Sequence, residues 1–517
     1  MMPKRGADGE WAAPCNDTRR RLGNNAAMPA ASTSPVPRIG AADVVLAPFA
    51  VVGRAPGAFG MVVLAGVALL GNGLKSVVSS SVLVSEAQFA TFLMLSPEHV
   101  AVLMESVIAG MVVALAACPL LLQRMSAWAL ACSACVVAAA AFATFALVEL
   151  SGPAPWMREV AAFSCFALGA GALALLAPAS QALVAVAPMP ATRTTLIAVW
   201  TGAAPAGFLV APQLVKYLLP AFGLGYYFLA FSALPLVLLA LLGALAMALP
   251  SARAAGTAAP TFPARLLAAF VAVVVAFEIW TTIGSVTSYA TTAAVAGMLG
   301  CAVAVAWLTH EVRGFSFPSS LAGTSGWLLL ALFALEMPTT GFFDTAYLVQ
   351  QRYPQSFIAD RSSLAAAAQI VGTLAAGILV HRKPAAESVL LYGFATTAMV
   401  GLAAIAAYPW IDHRLYFLWT PAIEGFGAAG LTVLVCLAVL RDAVRHPILA
   451  ALPSIAIMLG TEFGLELLQA VFAGAQAAGT SDEGAYGLLF IAQVVFALVV
   501  LVLLWVARQR GRQASIS

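Results

Sequence analysis

Apolar runs of about 20 residues recur along this chain from residue 59 to residue 507, separated by short polar turns. A helix of that length crosses the roughly 30 Å hydrocarbon core of a bilayer. Inside hydrocarbon every backbone N–H and C=O must find an internal partner, which restricts spanning structures to helices and closed barrels. The short alternating strands of a barrel do not occur. Charged residues make up 9% of the chain, against about 25% in soluble domains, so the apolar runs are not one anchor on a soluble body. The expected fold class is an all-α polytopic membrane protein.

Fourteen transmembrane helices are predicted, at 59–82, 98–122, 127–149, 157–186, 194–219, 223–249, 264–284, 286–308, 325–348, 362–380, 388–408, 415–440, 447–473 and 484–507. Lysine and arginine orient them. With the amino terminus in the cytoplasm, nineteen cations fall inside and five outside, the five being Arg158, Lys216, Arg352, Arg361 and Arg414. That is a positive-inside bias with both termini cytoplasmic. Residues 1–57 are polar and basic with no signal-peptide core, and read as a disordered cytoplasmic tail with Met1 and Met28 both open as the start. The helix ends PLLLQRMSAW (119–128) and GILVHRKPAA (377–386) echo one another. They suggest two six-helix pseudo-repeats, 58–250 and 325–508, plus an inserted helix pair at 264–308 and a cytoplasmic C-terminal tail at 509–517.

The seven cysteines lie mostly within apolar runs, without CxxC spacing or histidine partners, and read as small buried hydrophobes. No phosphate-binding G-x-x-x-x-G-K-[ST], no HExxH and no nucleophile elbow occurs, which argues against ATP drive and against an enzyme. No metal site, cofactor or nucleic-acid partner is expected.

Ionisable residues at bilayer depth are expensive and mark functional candidates. They are Lys75, Glu105, Glu278, Glu336, Asp344, Glu424, Glu462 and Glu466, one base among seven acids. Lys75 lies in GVALLGNGLKSVVSSSVLV (66–84), near Asn72. Counting from the helix ends puts Lys75 and Glu105 both about 10 Å below the outer surface. An ion pair between them is one expectation; a lysine snorkelling outward, with Glu105 left to water or hydroxyls, is the other. Glu336 is the leading candidate for binding substrate or a proton. It sits near mid-span in FALEMPTTGFF, where Pro338 and Gly341 loosen the backbone as a cavity-lining helix permits. The alternative for Glu336 is a neutral acid hydrogen-bonded between helices. Asp344 is placed nearer the outside, at an entrance.

Glu424 lies near mid-depth beside Gly425 and Gly427, and Glu462 and Glu466 share one helix face. Gly460 and Gly464 form a GxxxG read as a packing seam. Glu278 belongs to the inserted pair and ranks last. Phe342, Phe343, Tyr347 and Gln350 line either a substrate path or the core, while Trp156, Tyr226, Tyr227, Trp410 and Tyr416 are assigned to the interfacial belt.

Three stretches resemble the major facilitator superfamily, in particular its fourteen-span drug:proton antiporter branch. CFALGAGALALLAPAS (165–180) is similar to the span-four signature through Gly169, Gly171 and Pro178-Ala179-Ser180. TGAAPAGFLVAPQLV (201–215) is similar to the antiporter motif through Gly202, Gly207 and Pro212, and 346–382 resembles the passage from span nine to span ten. Arg124 is what remains of the family's basic loop after span two. Cys165 and Leu168 stand where the family carries Arg and Gln, and Lys75 stands near the place of its span-one acid. The resemblance covers about 58–508. It implies a secondary active transporter of the cell inner membrane, a monomer that exports a small organic solute, drug or metabolite, by proton-coupled alternating access. Its partners would be the small-molecule substrate, protons and the lipid bilayer, with a periplasmic adaptor left open. The altered coupling groups also leave open a facilitator or importer, and a non-transporting sensor or enzyme on the same scaffold.

Overall fold

The computed structural model describes residues 58–84, 97–152, 154–185, 190–249, 262–286, 290–313, 323–338, 340–383, 386–443 and 452–514. The N-terminal tail expected at 1–57 lies outside them. Regular structure among the described residues is helical throughout: α1 (Ala58–Val84), α2 (Pro97–Leu122), α3 (Ala127–Ser151), α4 (Pro155–Ala185), α5 (Pro190–Ala248), α6 (Ala264–Val286), α7 (Ala290–Arg313), α8 (Thr324–Glu336), α9 (Thr340–Gln350), α10 (Gln355–Arg382), α11 (Glu387–Ala406), α12 (Arg414–Ala443), α13 (Leu452–Ala477) and α14 (Asp482–Ala514), with a short 3-10 turn at Tyr408–Trp410. Ten helical segments among the described residues are long and apolar enough to cross a membrane.

Two interruptions shape the bundle. The 59-residue α5 contains Gly223 at φ 75°, ψ 172°, a conformation that L side chains rarely adopt, and the helix kinks there. Between α8 and α9 stands Pro338, which has no N–H to continue the helical ladder. Gln493 of α14 donates from Nε2 to the Pro338 carbonyl at 2.6 Å, so an acceptor at the break is satisfied from another helix.

Lipid offers no hydrophobic drive for helices to associate, so close backbone approach through small residues carries the packing. A methyl group on Gly171 of α4 would lie 2.6 Å from the Gly110 carbonyl of α2, and one on Gly207 of α5 2.7 Å from the Gly73 carbonyl of α1. The first bundle also holds an edge-to-face phenylalanine cluster, with Phe145–Phe166 centroids at 4.8 Å and Phe166–Phe228 at 4.9 Å. The glycines of the GxxxG on α13 press on α8, where a methyl on Gly460 or Gly464 would overlap the backbone of Phe333 or Met337.

The two bundles are joined unevenly. The main core mixes α1–α5 with the residues of α8, α10, α12, α13 and α14 that lie towards the end where α10 and α12 finish and α13 begins. A methyl on Gly377 of α10 would stand 2.8 Å from Ala198 Cβ of α5, and one on Gly202 2.9 Å from Thr373 Oγ1. Towards the opposite end, α9 to α14 keep a separate aromatic core around Phe343, Tyr347, Tyr408, Phe417 and Phe490, to which none of the described residues of α1–α5 contributes. Helix α6 rests on α2 through Val274, Val112 and Ala116, and α7 turns Leu299 and Val303 outward.

Two expectations need correction. Arg361, expected in an outer loop, is 2% exposed inside α10. Pro354, extended at φ −65°, ψ 143°, starts that helix at Gln355, earlier than a hydropathy window that avoids Asp360 and Arg361. Lys75 is therefore not the one buried cation. Tyr227, expected at the interface, is buried and shares a 2.7 Å hydrogen bond with Ser81, whereas Trp156, Tyr226 and Trp410 are exposed on the surface.

Candidate functional site

A ring of polar side chains forms where the two bundles meet, and Lys75 is its centre. Asn72 and Lys75 stand three residues apart on α1 and so share a face. Asn72 is 4% exposed and donates from Nδ2 to the Trp200 carbonyl of α5 at 2.7 Å. The Trp200 indole donates in turn to the Ala177 carbonyl and Ser180 Oγ of α4, each at 3.1 Å. Pro178, which cannot donate, lies inside this part of α4.

Lys75 is 8% exposed, and its ammonium reaches across to Met458 Sδ of α13 at 3.8 Å. Glu336, at the end of α8, lies near enough for the two charges to interact, though they make no ion pair in contact. Glu336 is also within electrostatic reach of Cys436 of α12, which stands beside Gln181 of α4. Ser454, one turn before Met458 on α13, donates to Gln181 Oε1 at 3.2 Å and closes the ring. Lys75, Asn72 and Gln181 come from the first bundle; Glu336, Cys436, Ser454 and Met458 come from the second. Two amide atoms in it have no hydrogen-bond partner among the described residues, Asn72 Oδ1 and Gln181 Nε2.

This arrangement revises the depth assigned to Lys75. Met458, its hydrogen-bond partner, lies in the second turn of α13, and the neighbouring Ser454–Gln181 bond joins the first turn of α13 to the last two of α4, the end where the bundles interlock. A helical side chain leans towards the N-terminus of its helix, so the long stem carries the ammonium back along α1 rather than outward. Glu105 lies on α2, but its side chain is outside the described residues, and so is the expected pair with Lys75.

A second polar cluster lies in the separate core of the C-terminal bundle. Asp344 is fully buried and ion-paired with Arg361. Arg361 also donates from Nε to the Phe417 carbonyl at 3.1 Å and from its terminal nitrogen to Tyr408 Oη at 3.4 Å. Tyr408 Oη and Thr420 Oγ1 are 2.6 Å apart. Asp344 is therefore no entrance residue. Phe343 and Tyr347 pack in the same core, while Gln350 bonds Asp482 on the surface at 2.9 Å.

The remaining candidates stand apart or at the margin. Glu462 is buried one turn beyond Met458 on α13, and Glu466 follows a turn later. Glu424 lies twelve residues from Cys436 along α12, about 18 Å away. There a methyl on Gly401 of α11 would overlap its backbone. Glu278 is buried in α6. Among the motif positions, Gly169 faces the Phe142 ring, Gly171 and Gly207 sit at helix crossings, and Gly202 meets Thr373 between the bundles. Pro212 lies inside α5, and Arg124 is exposed after α2. No group of three or more His, Cys, Asp or Glu gathers as a metal site among the described residues.

No family profile matches the chain, and no curated protein matches it in sequence. Solved structures match it in fold. A proton:xylose symporter of the major facilitator superfamily, XylE, aligns at 16% identity and TM-score 0.56 over 85% of this chain and 94% of its own. A bacterial homologue of the iron transporter ferroportin, in an outward-facing state, aligns at 15% and 0.59 over 86% and 100%. The human organic anion transporter MFSD10 (TETRAN) aligns at 16% and 0.59 over 86% and 99%. The chain therefore shares the fold of these solved structures, two helical bundles that face one another.

Proposed function

We propose that the chain is a secondary active transporter of a small organic solute, working by alternating access across the cell inner membrane. The observation that carries this reading is the polar ring assembled by both bundles of a major facilitator fold, because rocking of one bundle against the other would open it to either side in turn. Counting the two arms of α5 as separate passes, and α8 with α9 as one broken pass, is compatible with the proposed fourteen passes in a 6+2+6 layout. Helices α6 and α7 are then the inserted pair, and the positive-inside bias puts both termini in the cytoplasm. On that orientation the interlocked end is cytoplasmic and the site faces outward.

Glu336 is the group assigned to the coupling proton, and the resemblance in sequence favours export of a drug or metabolite. In proteoliposomes holding the purified protein, an imposed pH gradient is then expected to drive solute movement, and Glu336→Gln to abolish the coupled flux. Unchanged flux in that variant removes Glu336 from the mechanism. The position of Lys75 favours a second reading. A lysine beside Glu336 can balance the carboxylate without a proton, which suits a facilitator or importer. Solute equilibration that ignores the pH gradient would select that reading.

A further inference from the structure

We propose that the ring between α1 and α8 binds a zwitterionic solute, its carboxylate held by Lys75 and Gln181 and its ammonium by Glu336 and Asn72. The inference deepens the transporter reading and rests on the same site. Its basis is the unspent hydrogen-bonding capacity of buried groups. Lys75 has three N–H donors, yet its one hydrogen-bond partner among the described residues is a thioether sulfur, a weak acceptor. Gln181, 0% exposed, spends its carbonyl on Ser454 and leaves Nε2 without an acceptor among the described residues. Asn72, also buried, spends its amide nitrogen on Trp200 and leaves Oδ1 without a donor among the described residues. Buried polar groups are ordinarily paired, since leaving one unmatched costs about 1–3 kcal/mol.

The leftover groups divide evenly by sign. Lys75 Nζ and Gln181 Nε2 are donors; the Glu336 carboxylate and Asn72 Oδ1 are acceptors. Lys75 Nζ meets α13 at Met458, and the amide that carries Nε2 meets it one turn earlier, where Gln181 Oε1 accepts from Ser454, about 6 Å along the axis. Glu336, at the end of α8, is within electrostatic reach of Lys75 and of Cys436, which stands beside Gln181. A plain cation would answer the acceptors and leave Lys75 opposing it. A plain anion would answer the donors and meet Glu336. An apolar molecule answers neither. A solute carrying both charges a few bonds apart satisfies all four groups, and charge-assisted hydrogen bonds are the strong ones.

The test uses the full chain in detergent and matched probes: glycine, serine, leucine and phenylalanine, each beside its decarboxylated amine and its deaminated acid, with xylitol as a neutral polyol. Binding is read as ligand-induced stabilisation in thermal unfolding and titrated to a dissociation constant. At least one amino acid is expected to bind about tenfold or more tightly than both of its singly charged analogues and xylitol. Lys75→Met should move the preference towards the amine, and Glu336→Gln towards the acid. Equal affinity across the three charge classes, preference for xylitol, or no binding by any amino acid overturns the proposal. So does equal weakening of all probes in both variants. The wild-type order alone decides the matter if a variant fails to fold. Zwitterion-selective binding without flux under any gradient would remove the transport reading and leave this one; gradient-driven flux of a cation or polyol without zwitterion preference would do the reverse.

Discussion

Asp344 and Arg361 show how much a single residue's setting governs its role in this chain. Both were visible as charges, but Arg361 stands where the hydropathy signal fades, and a charge at a span boundary reads as solvated. Its burial follows from the Pro354 helix start and from partners on α9 and α12 that are remote in sequence. Removing one member leaves the other buried and uncompensated, which costs about 3–5 kcal/mol. Arg361→Met is accordingly expected to lower the thermal unfolding midpoint in detergent, and Asp344→Leu with Arg361→Met to recover a good part of the loss. A double variant as unstable as the single would count against the pair. Lys75 and Glu336 were legible one by one, as polar groups in apolar runs. Their nearness was not, because α1 and α8 meet only through the joining of two bundles.

At the scale of elements the sequence was more forthcoming. Pro338, Gly341 and the GxxxG of α13 announce an interrupted helix and a close crossing without any knowledge of their neighbours. What they meet was hidden: Gly460 and Gly464 press on the backbone just before the break, and Gln493 of α14 donates to the Pro338 carbonyl. Gln493→Leu should leave that carbonyl unanswered and destabilise by about 1–3 kcal/mol. Hydrogen exchange is expected to rise around 337–341 before it rises elsewhere; an unchanged pattern would deny Gln493 that role. Gly464→Leu drives a side chain into Met337, and overpacking of this kind costs about 1–3 kcal/mol. Its effect should fall on α8 and α13, with binding at the adjoining ring weakened together with stability.

For the whole molecule, the membrane class was readable from run length and charge alone, since lipid leaves few ways to satisfy a backbone. Which end of the bundle pair is closed was not readable, because it depends on contacts such as Gly377 with Ala198. Cysteines at Ala198 and Gly377, in a background freed of the seven native ones, are expected to form a disulfide readily. A solute that drives opening of this end should lower the yield, and a yield indifferent to every condition would mean that the two bundles never part there.

The split ownership of the ring has a consequence for kinetics. On the proposed transport reading, Lys75 would travel with one bundle and Glu336 with the other, so the empty protein would have to pull opposite charges apart whenever the bundles separate. A cargo that answers each charge in its place travels with the moving parts and relieves that attraction. The loaded protein should then turn over faster than the empty one, and the difference would appear as exchange of solute across the membrane outrunning its net movement.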